Sequence, residues 1–358
     1  MAQAGEEAVP GAAVDAVASE RPYEPSLVNR LVDAVRASSV PAPAVYALLA
    51  LALVAVEVGV KVADGTFPEG FRLIHVILPL FAMTALPAIH AFGDGAAHAL
   101  DTARPLLELS EQAVATTRYR LTTLPTGPTT VAAAVGLGSL ALLTLVQPAD
   151  TFEVLGVMTS PMTSAVEWSF QVLTWSGVGV TAFLILRQMR LIYEITTHHL
   201  RIDLFALGSI YAFSRLTAAH AVFTTGIVVL SSVALSRLAA TPQWVLFGGG
   251  PLVLAAATFV VPLWGAHRLL TLEKRRHLDG IGMRLERLIA ELQSRVDRSD
   301  LAGMEDFTAA LDGVVVAQRE IRSISTWPWQ PATLSGVASV LLAPLVIWLI
   351  TRVLDAIV

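Results

Sequence analysis

Seven stretches of this 358-residue chain stay apolar for about 20 residues at a time, at 43–63, 72–92, 129–147, 165–187, 219–237, 243–264 and 332–353. No other feature constrains the fold as strongly. Hydrocarbon offers no water to the backbone, so a segment that crosses a bilayer must pair its own N–H and C=O groups, which takes a helix of roughly 20 residues. A composition of 54% hydrophobic and 15% charged residues argues against a string of soluble domains. The expected fold is therefore all-α: a polytopic membrane protein of seven transmembrane helices. Pro79 and Pro87 make the second run the most interrupted.

Lys and Arg set the expected orientation, because positive charge stays on the cytoplasmic side. Of the 24 Lys and Arg, 20 fall in the N-terminal segment and in those after runs two, four and six. The alternate segments hold only Lys61, Arg72, Arg237 and Arg352. This alternation predicts the N-terminus inside, the C-terminus outside and a cytoplasmic helical bundle.

The chain divides accordingly. Residues 1–25 read as a disordered tail, Ala-rich and with Glu6 and Glu7 where a signal peptide would be basic. Residues 26–40 carry an interfacial helix with Leu27, Leu31 and Val35 on one face. Residues 41–265 hold six transmembrane helices, of which run four overruns its membrane length into a cytoplasmic extension. Residues 266–325 form a cytoplasmic helical hairpin. Its first arm continues run six and spaces Leu278, Leu285, Leu288 and Leu292 as a helix-packing seam, here a candidate subunit contact. Its second arm places Met304, Phe307, Leu311, Val314 and Ile321 on one stripe, after a turn capped by Ser299 or Asp300. Residues 326–358 hold a Trp-Pro-Trp corner and the seventh helix. Pro328 and Pro331 stop the preceding helix, and Trp327 and Trp329 suit the membrane interface, as an anchor or as a hinge.

Catalytic signatures are missing from the sequence: it has no Walker A loop, no G-x-S-x-G, no HExxH and no dinucleotide fingerprint. Histidines 90, 98, 198, 199, 220, 267 and 277 lie singly at or beyond the cytoplasmic boundary, except for the adjacent pair His198 and His199. They lack the clustered repeats that a di-iron centre needs. No enzyme activity, cofactor, metal or nucleic-acid partner is expected. With no cysteines, disulfides and thiolate sites are excluded.

Ionisable groups inside apolar runs are few, and such groups mark functional sites or neutralised pairs. Glu57 and Lys61 stand one turn apart in run one, His75 lies near the outer end of run two, and Glu167 shares a face of run four with Gln171 and Trp175. Glu57, His75, Glu167 and Gln171 form a candidate outer pocket, with snorkelling and an intrahelical ion pair as the alternative. Phe247-Gly-Gly-Gly-Pro251 resists regular helix and reads as a loose helix start or a flap. In run seven, Ser335, Ser339 and Ala343 share a face that continues to Val346 and Ile350. That face suits close helix packing, or a narrow path with an apolar constriction.

This layout, over residues 26–358, resembles the seven-transmembrane ion channel superfamily of insect odorant and gustatory receptors, with its remote prokaryotic relatives. The last-span signature of the gustatory receptors, Thr-Tyr followed after five hydrophobic residues by Gln-Phe, is not present: Thr333-Leu334 lacks the Tyr and no Gln follows. The resemblance implies a homo-oligomer, a tetramer in that family, whose cytoplasmic helices make the subunit contacts. It also implies a last span lining a cation pore and a small-molecule ligand in the outer half of the bundle. On this reading the chain is a chemoreceptor-like ligand-gated cation channel subunit, multi-pass in the plasma membrane, a prokaryotic inner membrane. A sensor or signalling scaffold without a pore, and a secondary transporter, are the alternatives.

Overall fold

The computed structural model describes residues 22–67, 72–146, 158, 160–201, 204–205, 207–234, 242–299 and 302–357. Twelve α-helices lie among them, with no strand and two isolated bridges, Pro25 with Pro125 and Leu107 with Leu200. They are α1 Leu27–Arg36, α2 Ala42–Ala63, α3 Ile74–Met83, α4 Ala85–Ala103, α5 Glu111–Thr122, α6 Thr126–Val146, α7 Pro161–His198, α8 Gly208–Ala234, α9 Pro242–Val260, α10 Trp264–Asp297, α11 Met304–Ser323 and α12 Pro331–Ile357. Most of the expected tail, residues 1–21, lies outside the described residues.

Five helices are long and apolar enough to cross a membrane, among them α2, α6, most of α8 and the 38-residue α7. The fifth runs from Gly249 to Asp297 with a short 3-10 turn at Val261–Leu263 between α9 and α10, so run six does continue into the charged arm α10. Together the pair α3 and α4 is long and apolar enough as well and makes a sixth candidate, a broken span or a re-entrant loop bent by 43°. The cause is local: Pro87 has no N–H to give the Met83 carbonyl, and Thr84 caps the break by donating its hydroxyl to the Phe81 carbonyl at 2.8 Å. The apolar part of α12 is shorter, Pro331–Val346. The Gly-Gly-Gly-Pro stretch differs from expectation, because α9 is helical straight through it, with Pro251 inside. In an apolar stretch a loose turn would leave backbone groups without partners, which outweighs the low helix propensity of glycine.

Two long helices organise the bundle. α7 packs against α2, α3, α4, α6 and α10, while α8 packs against α4, α9 and α12. α6 and α7 approach very closely, since a Cβ added at Gly136 would overlap the Trp175 carbonyl oxygen and one at Gly179 the Ala132 carbonyl oxygen. The main core lies where α4, α5, α7, α8 and α10 meet, around Leu100, Leu121, Ile192, Phe213, Leu263 and Leu270. We call that end of the bundle the basal pole, because α1, α5 and the hairpin lie there. The end with the start of α7 and the finish of α2 is the distal pole.

α1 is capped as its sequence suggests, with Ser26 Oγ accepting from the Asn29 N–H. The face it packs on the protein is the one opposite the apolar stripe: Asn29 and Val32 are buried, whereas Leu27 is 70% exposed and Leu31 46%. The helix is thus held by a polar residue and turns its leucines away from the protein, as a helix resting on lipid would.

Candidate functional site

The distal pole gathers charge. Glu57 and Lys61 of α2, His75 of α3 and Glu167 of α7 are all fully buried, at 0 to 1% exposure. His75 Nδ1 stands 3.8 Å from Glu57 Oε1. The Glu57 and Glu167 carboxyls lie within hydrogen-bonding reach of each other, and the Lys61 charge acts on both. The helices explain the convergence. Glu57 and Lys61 are one turn apart near the end of α2, Glu167 follows the Ser160 capping box that starts α7, and α3 packs against both. Burial excludes the snorkelling alternative for Lys61 and Glu167, and it makes the site an enclosed cluster instead of an open vestibule. Gln171 is not drawn in. It is half-buried, and its side-chain oxygen accepts from Trp175 Nε1 at 3.2 Å on its own helix.

A second polar cluster ties the basal pole together. Asn29 Oδ1 accepts from the Leu124 N–H at 2.9 Å, and Asn29 Nδ2 donates to the Thr122 carbonyl at 3.1 Å. The Tyr23 hydroxyl donates to the Thr123 carbonyl at 2.7 Å and accepts from Arg187 Nη2 at 2.8 Å. Burial pushes the Tyr23 hydroxyl above the ordinary tyrosine range, with the Arg187 guanidinium pulling the other way. Gln188, wholly buried on α7, donates through Nε2 to the carbonyls of Phe92 and Leu121 at 3.2 and 2.9 Å. Nearby, the Tyr46 hydroxyl lies 2.9 Å from His90 Nδ1, and His90 Nε2 is 3.2 Å from Asp94, which also binds Arg36. Between α5 and α7 an open groove of about 480 Å³ is lined by Ser110, Thr116, Thr117, Arg120, Glu194 and His199, among others.

The Trp-Pro-Trp corner is a stack of rings. His267, Trp327, Trp329 and Phe259 follow one another at centroid spacings of 4.0, 4.4 and 4.8 Å, within 12° of parallel. His267 Nδ1 donates to the Thr326 carbonyl at 3.0 Å, and Pro328 is buried between the two tryptophans. The corner therefore clamps the chain onto α9 and α10 before α12 begins at Pro331.

From there α12 docks through Val337, 3% exposed, and Leu341, against Ala218, Ala221, Ala255 and Phe259. At 100° per residue, Ser335, Ser339, Val346 and Ile350 fall on the opposite side of the helix, roughly 180° from Val337. They are uncovered in the single chain, with Val346 52% and Ile350 54% exposed, while Ala343 is half-buried. Both serine hydroxyls donate to carbonyls of their own helix, Ala332 and Ser335.

In the hairpin, Leu278, Leu285, Leu288 and Leu292 are half-buried, and α10 packs against α11, whose Met304, Phe307, Leu311 and Val314 are half-buried too. The seam is thus occupied within one chain. A different set remains uncovered: Leu272, Met283, Ile289, Val296 and Val316, 41 to 55% exposed. Gly303, not Ser299, precedes the first turn of α11, in the left-handed conformation that glycine adopts cheaply, and Asp300 lies outside the described residues.

Sequence reasoning missed three buried polar residues. Asn29 and Gln188 sit in arginine-flanked stretches that look solvated, and only the Ser26-x-x-Asn29 spacing hints at a structured start. His220 was expected at the boundary, yet its ring is fully buried, edge-on to Phe92 at 4.5 Å, with neither nitrogen hydrogen-bonded among the described residues. Among those residues no three His, Asp or Glu side chains are grouped so as to hold a metal ion. The chain matches no family model, no curated protein and no solved structure.

Proposed function

We propose that the chain is one subunit of an oligomeric, chemoreceptor-like cation channel of the plasma membrane, with seven spans, its basal pole in the cytoplasm and α12 lining the ion path. The observation that carries this reading is the asymmetry of α12. One narrow face is packed on α8 and α9, and the opposite face, with small residues first and Val346 and Ile350 beyond, is left for neighbours or water. Copies arranged around that face would enclose a path with an apolar constriction, which blocks ions by dewetting. The uncovered apolar residues scattered along the charged hairpin fit subunit contact, on the reading that this arm stands in the cytoplasm clear of lipid.

The test combines particle symmetry of the purified protein with liposome flux of a monovalent cation. A rotationally symmetric assembly with α12 at the axis, and a higher flux for Val346→Ser than for wild type, are expected. A monomer without flux in either protein would sink the reading. One observation favours a secondary transporter instead: the buried ionisable set at Glu57, Lys61, His75 and Glu167, of the kind that transporters use for coupling ions. Uphill uptake of a solute driven by an ion gradient, without channel flux, would select it.

A further inference from the structure

The distal cluster brings two acidic side chains from different helices into contact. Glu57 and Glu167 come from different helices, are 0% exposed and face each other, yet none of their four oxygens has a hydrogen-bond donor among the described residues. A carboxylate accepts and does not donate, so two of them in contact repel unless a positive species lies between them. Basic groups among the described residues nearby are Lys61, His75 and Arg72. Lys61 is the one ammonium acting on both carboxyls, and His75 stands 3.8 Å from Glu57. Arg72 acts on the His75 ring. α6, which covers the other side of α7, has no ionisable residue. Lys61 is shared between the two carboxyls, and none of their oxygens has a hydrogen bond among the described residues, so a further cation between them would relieve their repulsion.

We propose that Glu57 and Glu167 together hold one exchangeable monovalent cation, a proton or an alkali metal ion. Because the carboxyls belong to α2 and α7, the occupant also latches those two helices together. A proton on His75, at its observed distance, would be held by the same carboxyls. The proposal does not depend on whether α12 lines an ion path.

Infrared difference spectroscopy on the purified full chain in nanodiscs reads the site, because protonated carboxyls absorb apart from carboxylates and a bound metal ion shifts the carboxylate stretch. In choline buffer at neutral pH a single cluster proton is expected. If it is displaced when excess Na⁺, K⁺ or Li⁺ is added, the occupant is an alkali ion; if it persists and leaves only with rising pH, the occupant is the proton. Either result supports the site. Glu167→Gln should abolish the signal, and Gln171→Ala, one turn away and outside the cluster, should leave it unchanged. If Glu167→Gln does not fold, Glu57→Gln is read in the same way. A wild-type protein with no cluster proton and no response to alkali ions in its carboxylate bands or unfolding temperature overturns the proposal, as does a signal that survives in a folded Glu167→Gln protein.

Discussion

α7 carries a buried polar cluster near each end, and the two differ in how their atoms are paired. At the basal pole Gln188, Asn29 and Tyr23 spend their hydrogen bonds on backbone carbonyls and on the Leu124 N–H, and Gln188 Oε1 is the one atom of those three side chains left without a partner. At the distal pole, about 30 Å away along the same helix at 1.5 Å per residue, the four carboxyl oxygens of Glu57 and Glu167 have no donor among the described residues. Buried polar groups are normally satisfied, because each lost partner costs the full desolvation of the group. The basal cluster therefore behaves as a fastening: it ties the N-terminal segment, the α5–α6 junction and α7 together. The distal cluster, on the proposal above, shares a cation between its two carboxyls.

That contrast can be broken most decisively at Lys61. Lys61→Met leaves two buried carboxyls facing each other without their ammonium, and a loss of about 3–5 kcal/mol is expected in thermal or denaturant unfolding. Adding Glu167→Gln should restore most of that stability, since one carboxyl then remains. A Lys61→Met protein as stable as wild type would show that the distal charges are compensated elsewhere.

Gln188→Ala comes next. It strands the Phe92 and Leu121 carbonyls inside the bundle, for an expected loss of about 2–3 kcal/mol. The same change at Gln171, which serves only Trp175 on its own helix, should cost under about 0.5 kcal/mol. Equal effects at the two glutamines would erase the distinction between fastening and surface. Asn29→Ala should cost about 1–2 kcal/mol and act locally: faster hydrogen exchange over residues 22–36, with α7 unchanged.

The smallest effect concerns pH. The folded state holds the Tyr23 proton more tightly than the unfolded chain, whose tyrosine titrates near 10.0. Its contribution is therefore complete below pH 10 and falls away as pH rises through the higher folded value. Alkaline unfolding should be shallower in Tyr23→Phe than in wild type, with no difference at neutral pH.

Much of the architecture was legible beforehand because membrane helices are written in runs of hydropathy. The overrun of α7, the continuation of the sixth run into α10 and the hairpin, whose second arm ends at Ser323 before the Trp-Pro-Trp corner, all follow from residues close together in sequence. What stayed hidden was pairing across helices. Gln188 lies between arginine and methionine in "LRQMR" and looks solvated; only the arrival of the Phe92 and Leu121 carbonyls makes it interior. Nor could the sequence show that Asn29 would be the buried anchor of α1, or that α11 would pack against the arm that carries the leucine seam.

By itself, then, the sequence determined that the chain is helical, where its long apolar helices run and where prolines bend or end them, since those outcomes rest on backbone pairing in an apolar medium and on steric rules within a few residues. It also supplied Glu57, Lys61, His75 and Glu167 as candidates, because a charged side chain in an apolar run stands out. Only the tertiary structure decided that these four close on one another while Gln171 turns away, and that Val337, not Ser339, is the side of α12 against the bundle. Such choices depend on which helices cross and how closely, as Gly136 and Gly179 let α6 approach α7. The crossing is settled by the packing of all the helices at once, which no single stretch of the sequence encodes.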